Sequence, residues 1–289
     1  MSRIAERPAV APFDPFKNTS TGVGNSVYGA FPANGAQPSS GSGSFDSGLL
    51  TMIGQRFDTR DGRELVLVSN GAAAMAAGKV YQAAAQITGH QLLAMTVPAA
   101  TPATAGLFQI LVTNGATVIK QNYYAGGYAI VGGGTGAGQI LRISSHPGAA
   151  TSATCLITLA DPIQTTLDAT STITLVKNQY DSVILNVHTS FSSGPVGVAL
   201  NPIPASTAPT WDGTSGALTA NGVYQYGFLV TRGQTAALID STTTVGYGLG
   251  TSVNVDGALE VQTLTSSPMV AISMQTQTDA KYGFVNVLL

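Results

Sequence analysis

The chain has 289 residues and carries only 12 Lys+Arg and 14 Asp+Glu, a charged fraction of 9% where an ordinary globular domain has about 25%. A net charge of −2 gives no basic surface for nucleic acid, no apolar run reaches the roughly 18 residues of a membrane helix, and a single cysteine, Cys155, excludes an internal disulfide and a cysteine metal cluster. Because freely diffusing proteins use charged side chains to keep their surfaces apart in water, this composition favours a building block that packs much of its exterior against neighbours.

Residues 1–50 predict an extended N-terminal arm. The segment contains five prolines, the Gly/Ser stretch 39–44 and few aliphatic side chains, so it cannot build a core of its own. It lacks the apolar stretch of a secretory signal. Aromatic residues are nevertheless spaced along it, namely Phe13, Phe16, Tyr28, Phe31 and Phe45. The arm either lies across a neighbouring subunit, with its aromatic rings in separate pockets, or folds over its own domain; we expect interface contacts at Phe13, Phe16, Tyr28 and Phe31.

From about residue 51 the pattern is typical of β-structure. Residues 64–68 are apolar on both faces, which predicts a strand covered on both sides. Asn114-Gly115, between the apolar runs 107–112 and 116–119, predicts a tight type I′ hairpin. Further strands are predicted at 127–131, 139–143, 154–159, 172–176, 183–187, 226–231, 258–264, 269–274 and 283–288.

Helix signals are nearly absent from the sequence. The alanine-rich stretch 71–86 is interrupted by Gly78 and has no apolar stripe at a 3.6-residue period, so loop or strand is favoured there. Short strands between turns rich in glycine and proline predict an all-β fold, a β-sandwich or barrel core with an extended N-terminal arm and an inserted β subdomain. The predicted domains are the arm at 1–50, a β core formed by 51–100 with 179–289, and the inserted subdomain at 101–178.

The glycine cluster at 132–138 fits the dinucleotide pattern G-x-G-x-x-G/A, but that motif works only where a strand leads into a helix. Because residues 139–143 continue as a strand, a hairpin loop is predicted and no cofactor is expected. His90, His146 and His188 are not at metal-ligand spacing, so no metal site is expected either, and the histidines are interpreted as turn or core residues.

Acidic residues give no catalytic pattern. The segment 58–64 predicts a turn with local ion pairs. Asp212 with Asp240 or Asp256 is a conceivable carboxylate pair for glycoside hydrolysis, but nothing in the spacing prefers it. The absence of a nucleophile elbow, G-x-S-x-G, adds to the expectation that the protein is not an enzyme.

The aromatic residues outside the arm allow two interpretations. Trp211 with Tyr123, Tyr124 and Tyr128 could form a sugar-stacking surface. Aromatic anchors in a subunit interface are the more frequent use of such residues. Both interpretations stay open at this point.

Three segments, 57–68, 124–143 and 226–233, resemble capsid decoration or cement proteins of tailed bacteriophages, and the similarity in style covers residues 56–289. The resemblance implies a virion protein on the outer surface of the icosahedral head that bridges subunits of the major capsid protein, often as a homotrimer. From the net charge and the lack of a long apolar run, no nucleic acid or membrane partner is expected. The main alternative is a phage fibre or receptor-binding protein that recognises surface glycans. A major capsid protein is disfavoured because a long spine helix and a charge-rich extended loop are missing.

Overall fold

The computed structural model describes residues 53–91, 94–101, 103–188, 193–262 and 269–289. The arm, with Phe13, Phe16, Tyr28 and Phe31, lies outside the described residues, so the contacts expected of it stay predictions. In the described part of the chain the regular structure is strand, apart from one 3₁₀ turn at Thr88–His90. The all-β prediction is therefore confirmed.

The strands occur in the following order along the described residues: β1 Arg56–Asp58, β2 Glu64–Ser69, β3 Val80–Gln82, β4 Met95–Thr96, β5 Gln109–Thr113, β6 Tyr128–Gly133, β7 Ile140–Ser145, β8 Thr154–Leu159, β9 Thr172–Val176, β10 Ile184–Leu185, β11 Pro195–Ala199, β12 Thr210–Trp211, β13 Leu218–Ala220, β14 Tyr226–Ile239, β15 Gly248–Thr251, β16 Leu259–Val261, β17 Ala271–Ser273 and β18 Lys281–Leu288.

Six of these strands close a barrel in the order β4-β5-β8-β7-β6-β9. Their residues alternate between buried and more exposed positions, as expected for strands with one face toward a core. The barrel interior is filled by apolar side chains, among them Ile110, Leu141, Cys155, Ile157 and Ile173.

The larger sheet is organised around β14. The first half of β14 pairs with β2 and β11, and its second half pairs with β18 and β16. Strands β16, β15, β17 and β18 pair with one another in that order. Because β16 and β18 each also pair with β14, the five strands form a ring. Strand β2 is buried on both faces, with Leu65 and Leu67 in one core and Val66 and Val68 in another, as the sequence predicted.

The chain path places the barrel as an insertion. Strands of the larger sheet come from residues up to 82 and again from 184 onward, whereas the barrel strands lie between 95 and 176. Two connections therefore join the two parts, one after β3 and one after β9. The exact-residue boundaries at 100 and 178 stay predictions.

The predicted Asn114-Gly115 hairpin is wrong. Strand β5 pairs with β8 over five residues instead of with 116–119, and neither Asn114 nor Gly115 has the positive φ that a type I′ turn requires. The Asn114 side chain instead donates to the carbonyl oxygens of Thr117 (2.6 Å) and Ala150 (2.9 Å). Pairing with a distant strand has overridden a strong local turn signal.

Other local predictions agree with the structure. The glycine cluster forms the loop of the β6–β7 hairpin, where Gly134, Gly136 and Gly138 have positive φ. The stretch 71–86 contains loop and the short strand β3. The turn at 58–64 joins β1 to β2, and Asp61 pairs with Arg63 there at 2.7 Å.

Candidate functional site

A cavity of about 770 Å³ lies between the barrel and the larger sheet, and we call it the junction cavity. Its wall combines aromatic rings, two lysines, an arginine and small polar residues from both parts of the fold. The side chains used below are Ile53, Lys120, Tyr123, Arg142, Lys177, Asp181, Trp211 and Tyr224.

One side of the junction cavity is fixed by a buried ion pair. Lys177, directly after β9, has a side chain only 5% exposed, and its Nζ lies 3.0 Å from a carboxylate oxygen of Asp181. The same ammonium donates to Ser182 Oγ at 3.0 Å and stands 4.6 Å from the ring centroid of Tyr123. Asp181 also accepts a hydrogen bond from Ser69 on β2, at 2.7 Å. A buried charge needs such partners to offset its desolvation, so this network ties the end of the barrel to the larger sheet.

Another part of the cavity wall is fixed by the β12–β13 hairpin, which reaches from the larger-sheet part of the chain to the barrel. Trp211 Nε1 donates to the carbonyl oxygen of Gln121 at 3.1 Å. The Gln121 backbone N–H donates to Gly216 O at 2.8 Å, and the Leu218 N–H donates to Gln121 Oε1 at 3.2 Å. These bonds hold the only tryptophan of the chain at the cavity wall.

Two aromatic rings and a lysine meet in the cavity. Trp211 and Tyr123 are in edge-to-face contact with centroids 6.3 Å apart. Lys120 Nζ lies 5.1 Å from the Trp211 ring and 5.7 Å from the Tyr123 ring, within range of cation–π attraction. The arrangement suits a ligand that offers both an apolar group and an anionic or hydrogen-bonding group.

The structure separates the aromatic set that the sequence grouped together. Tyr123 and Trp211 meet in the cavity, whereas Tyr124 is fully buried in the barrel core and Tyr128 is exposed on the outside of β6. The Tyr123–Trp211 contact joins residues 88 positions apart through a long loop, and no local pattern signals it.

Two of the histidines belong to the barrel core around Tyr124. The Tyr124 hydroxyl donates to His90 Nδ1 at 2.6 Å, and the Tyr124 N–H donates to His146 Nε2 at 3.1 Å. His146 Nδ1 donates to Pro147 O at 2.9 Å. Burial lowers the pKa of His146 to about 4 and also lowers the pKa of His90. Both rings are core residues, as interpreted from the sequence.

The third histidine, His188, pairs with Asp256 at 2.7 Å on the larger-sheet part. Among the described residues, no three His, Cys, Asp or Glu side chains come close enough together to hold a metal ion.

The three aspartates considered for glycoside hydrolysis accept hydrogen bonds from different partners in separate parts of the structure. Hydrogen bonds from Ser215 lower the pKa of Asp212. Those from His188 lower the pKa of Asp256. Asp240 accepts from Ser252 Oγ at 2.5 Å. Within the described part of the chain, none of the three lines the junction cavity.

A second candidate site is the outward side of the β14–β18 pair, which we call the β14–β18 face. The strand register places eight side chains on it: Arg232, Gln234, Ala236 and Leu238 from β14, and Tyr282, Phe284, Asn286 and Leu288 from β18. The set contains one charged side chain, Arg232. Tyr282 is 52% and Phe284 41% exposed, and the exposed Met274 lies beside Phe284.

The β14–β18 face continues into a shallow groove of about 810 Å³, which is lined by small and apolar residues such as Ala77, Gly78, Ala199 and Pro202 and also by Asp61 and Arg63. The Tyr282 ring packs on Gly78, where a Cβ would collide with it. The sequence predicted a strand at 283–288 but not this surface, because apolar residues alternate onto both faces of β18 and the pattern does not say which face is covered.

No protein-family model matches the sequence, and neither a curated protein nor a solved structure is similar to it. The described residues include no helix with the length and apolar character needed to cross a membrane.

Proposed function

We propose that this chain is a structural virion protein that binds the outside of a phage capsid and stabilises contacts between major capsid subunits. The observation that carries the proposal is the β14–β18 face. Proteins that act alone rarely leave contiguous large apolar side chains in water. The cores of protein interfaces are depleted in charge and enriched in aromatic residues and methionine, as this face is.

Composition and sequence style support the same proposal. A charged fraction of 9% fits a protein whose surface is largely covered by other subunits of an assembly. The segments 57–68 and 226–233, which resemble decoration proteins, contain most of β2 and the first part of β14, and these two strands pair in the larger sheet.

The mechanism follows from linkage. A protein that binds the closed shell, but not its separated subunits, shifts the equilibrium toward the shell by mass action. If several copies associate, or if each copy contacts two capsomers, the effective affinity exceeds that of a single contact. No chemical step is required, and the lowered pKa values of Asp212 and Asp256 are unlike the raised pKa of a glycosidase acid.

The test replaces Phe284 by lysine and measures co-sedimentation with heads of the virus that encodes the chain. We expect Phe284→Lys to weaken binding at least tenfold, because an ammonium would be buried in an apolar interface. The matched control is Ile140→Lys, which places the same charge at a 63% exposed position on the barrel. Equal binding by both variants and the original protein would contradict the proposed face.

The second candidate function is glycan recognition by a fibre or receptor-binding protein, and the contact between Trp211 and Tyr123 favours it. Rings at a polar cavity wall are a common way to bind sugars. A glycan array with the full chain separates the two functions. Saccharide-specific binding that is lost in Tyr123→Ala would favour the fibre, whereas an array without binding, together with co-sedimentation, favours the cement protein.

A further inference from the structure

The junction cavity carries an excess of positive charge. Its charged lining side chains in the described part of the chain are Lys120, Arg142, Lys177 and Asp181, three cations against one carboxylate. Lys177 and Asp181 neutralise each other in their ion pair at 3.0 Å. Lys120 and Arg142 therefore leave two positive charges at the cavity, in a chain whose formal net charge is −2. A concave site with charge of one sign attracts ligands of the opposite sign, so the cavity favours an anion.

Neither of these two cations has a carboxylate partner. Among the described residues, no salt bridge involves Lys120 or Arg142. Asp161 accepts from the backbone N–H of Arg142 at 3.3 Å, but it forms no ion pair with the guanidinium. Lys120 Nζ stands 5.1 Å from the Trp211 ring, which holds the ammonium at the aromatic part of the wall. Both side chains can therefore form their ion pair with a ligand.

Polar groups of the cavity wall also have unused hydrogen-bonding capacity. Asn122 accepts from the His146 N–H through Oδ1 at 2.9 Å, and its amide Nδ2 has no partner within the described residues. Ser144 and Ser145 are exposed at the end of β7, and their hydroxyls likewise have no partner among those residues. Hydroxyl and amide groups can donate to and accept from the hydroxyls of a sugar.

The two aromatic rings of the cavity have different surroundings. Tyr123 packs against the barrel core, with Lys177 Nζ 4.6 Å from its ring and the Tyr124 ring in edge-to-face contact at 5.1 Å. Trp211 is held through its Nε1, and its ring contacts are the edge-to-face contact with Tyr123 and the ammonium of Lys120. Trp211 is therefore the ring with room for a ligand, and Tyr123 supports it. The apolar C–H face of a pyranose can pack on such a ring.

We propose that the junction cavity binds an acidic saccharide, with a pyranose ring on Trp211 and its carboxylate beside Lys120 and Arg142. The volume of about 770 Å³ lies within the range of roughly 300–1,000 Å³ that is usual for small-molecule sites. The proposed site names the class of glycan for the second candidate function and rests on that function. It is compatible with attachment to a capsid, because the cavity and the β14–β18 face share no residue.

Trp211 supplies the probe, since it is the only tryptophan and lies at the cavity, so that its emission reports binding there. The full chain is titrated with cellobiouronic acid and cellobiose, and with sialyllactose and lactose; in each pair only the first saccharide carries a carboxylate. We expect at least one acidic saccharide to bind about tenfold more tightly than its neutral partner, because charge-assisted hydrogen bonds are the stronger ones. Added salt is expected to reduce this preference.

The charge is tested by Lys120→Gln, which is expected to lower the affinity for the acidic saccharide about tenfold and to leave the affinity for its neutral partner unchanged. Lys120→Arg, which keeps the charge, is expected to keep the preference. The matched control is Lys281→Gln, at an exposed lysine of β18 outside the cavity, and it is expected to change neither affinity. If the preference survives in both Lys120→Gln and Arg142→Gln, the acidic saccharide binds elsewhere and the proposal is wrong.

Three other outcomes overturn the proposal, and they differ in what they leave standing. Equal affinities within both pairs would show a neutral glycan site, so the second candidate function would remain. Inorganic phosphate that displaces the acidic saccharide at the same concentration as the free sugar acid would show a general anion site. No binding of any of the four saccharides, with no binding on the glycan array, would remove the second candidate function as well.

Discussion

Each ring nitrogen of His146 already has a hydrogen-bond partner in the barrel core. Nε2 accepts from the Tyr124 N–H, and Nδ1 donates to Pro147 O. A second proton would place an N–H against the Tyr124 N–H, in a site that burial has already made unfavourable for charge. The neutral ring is therefore part of the folded structure, and the lowered pKa of about 4 is the consequence.

This geometry predicts acid sensitivity at the level of one residue. Folding lowers the pKa of His146 from about 6.5 to about 4, so the unfolded chain binds the proton first as the pH falls. Stability is complete above about pH 6.5 and is lost toward pH 4, by about 3 kcal/mol in the free energy of unfolding. Urea unfolding at a series of pH values gives the free energy of unfolding as a function of pH. We expect this free energy to fall less steeply between pH 6.5 and 4 in His146→Gln than in the original protein.

The matched control for this prediction is His188→Gln, at a histidine on the larger-sheet part that is partly exposed. In this control, the free energy of unfolding is expected to fall with decreasing pH at least as steeply as in the original protein. If His146→Gln and the original protein lose stability in parallel between pH 6.5 and 4, the neutral core histidine is not the cause of acid sensitivity.

At the level of elements, the β12–β13 hairpin contributes Trp211 to the wall of the junction cavity. The hairpin docks on the barrel through Gly216, whose φ is +70° and whose Cα faces the carbonyl oxygen of Ile119 so closely that a Cβ would clash. The backbone oxygen of Gly216 also accepts from the Gln121 N–H. A side chain at this position would therefore separate the hairpin from the barrel.

We predict that Gly216→Ala destabilises the protein by more than about 1 kcal/mol, because strain at a positive φ and a backbone clash act together. Trp211 emission should shift to longer wavelength as its bond to Gln121 is lost. Gly213→Ala is the control, since it lies in the same hairpin with nothing within 4 Å of its added Cβ. Thermal unfolding and fluorescence of the two variants measure the effect, and similar values in both would contradict the docking account.

A strand of this protein can be predicted where its own residues alternate between apolar and polar, or where they are apolar on both faces. Residues 154–159 and 172–176 match β8 and β9 to the residue. The sequence predicted a strand only at 226–231, whereas β14 extends from Tyr226 to Ile239. Eight registered pairs with β18 carry it on to Ile239, and these depend on a partner about 50 residues away.

The candidate sites show the same limit. Asn114-Gly115 failed as a hairpin because β5 found its partner in β8 rather than in the next segment. Trp211 and Tyr123 were noticed as aromatic residues, but their contact depends on a long loop docking on the barrel. Residue type therefore indicated which residues could form a turn or a binding site. Which of them do so depends on contacts between distant parts of the chain.

For the whole molecule, the β14–β18 face is a surface on which charged side chains are scarce. The β14–β18 face presents Tyr282, Phe284 and Leu288 with a single arginine, and the adjoining groove is lined by alanine, glycine and proline together with Asp61 and Arg63. A surface of this kind is stable in water only at some cost in solubility, and that cost disappears once the surface is covered. We propose that another protein subunit covers this surface.

An image reconstruction of the assembled virus particle by electron cryomicroscopy tests that claim most directly. We expect density for this chain on the outer surface of the head, with the β14–β18 face turned toward capsid subunits and Phe284 excluded from solvent. Particles without such density, together with a protein that stays monomeric and highly soluble in isolation, would contradict it.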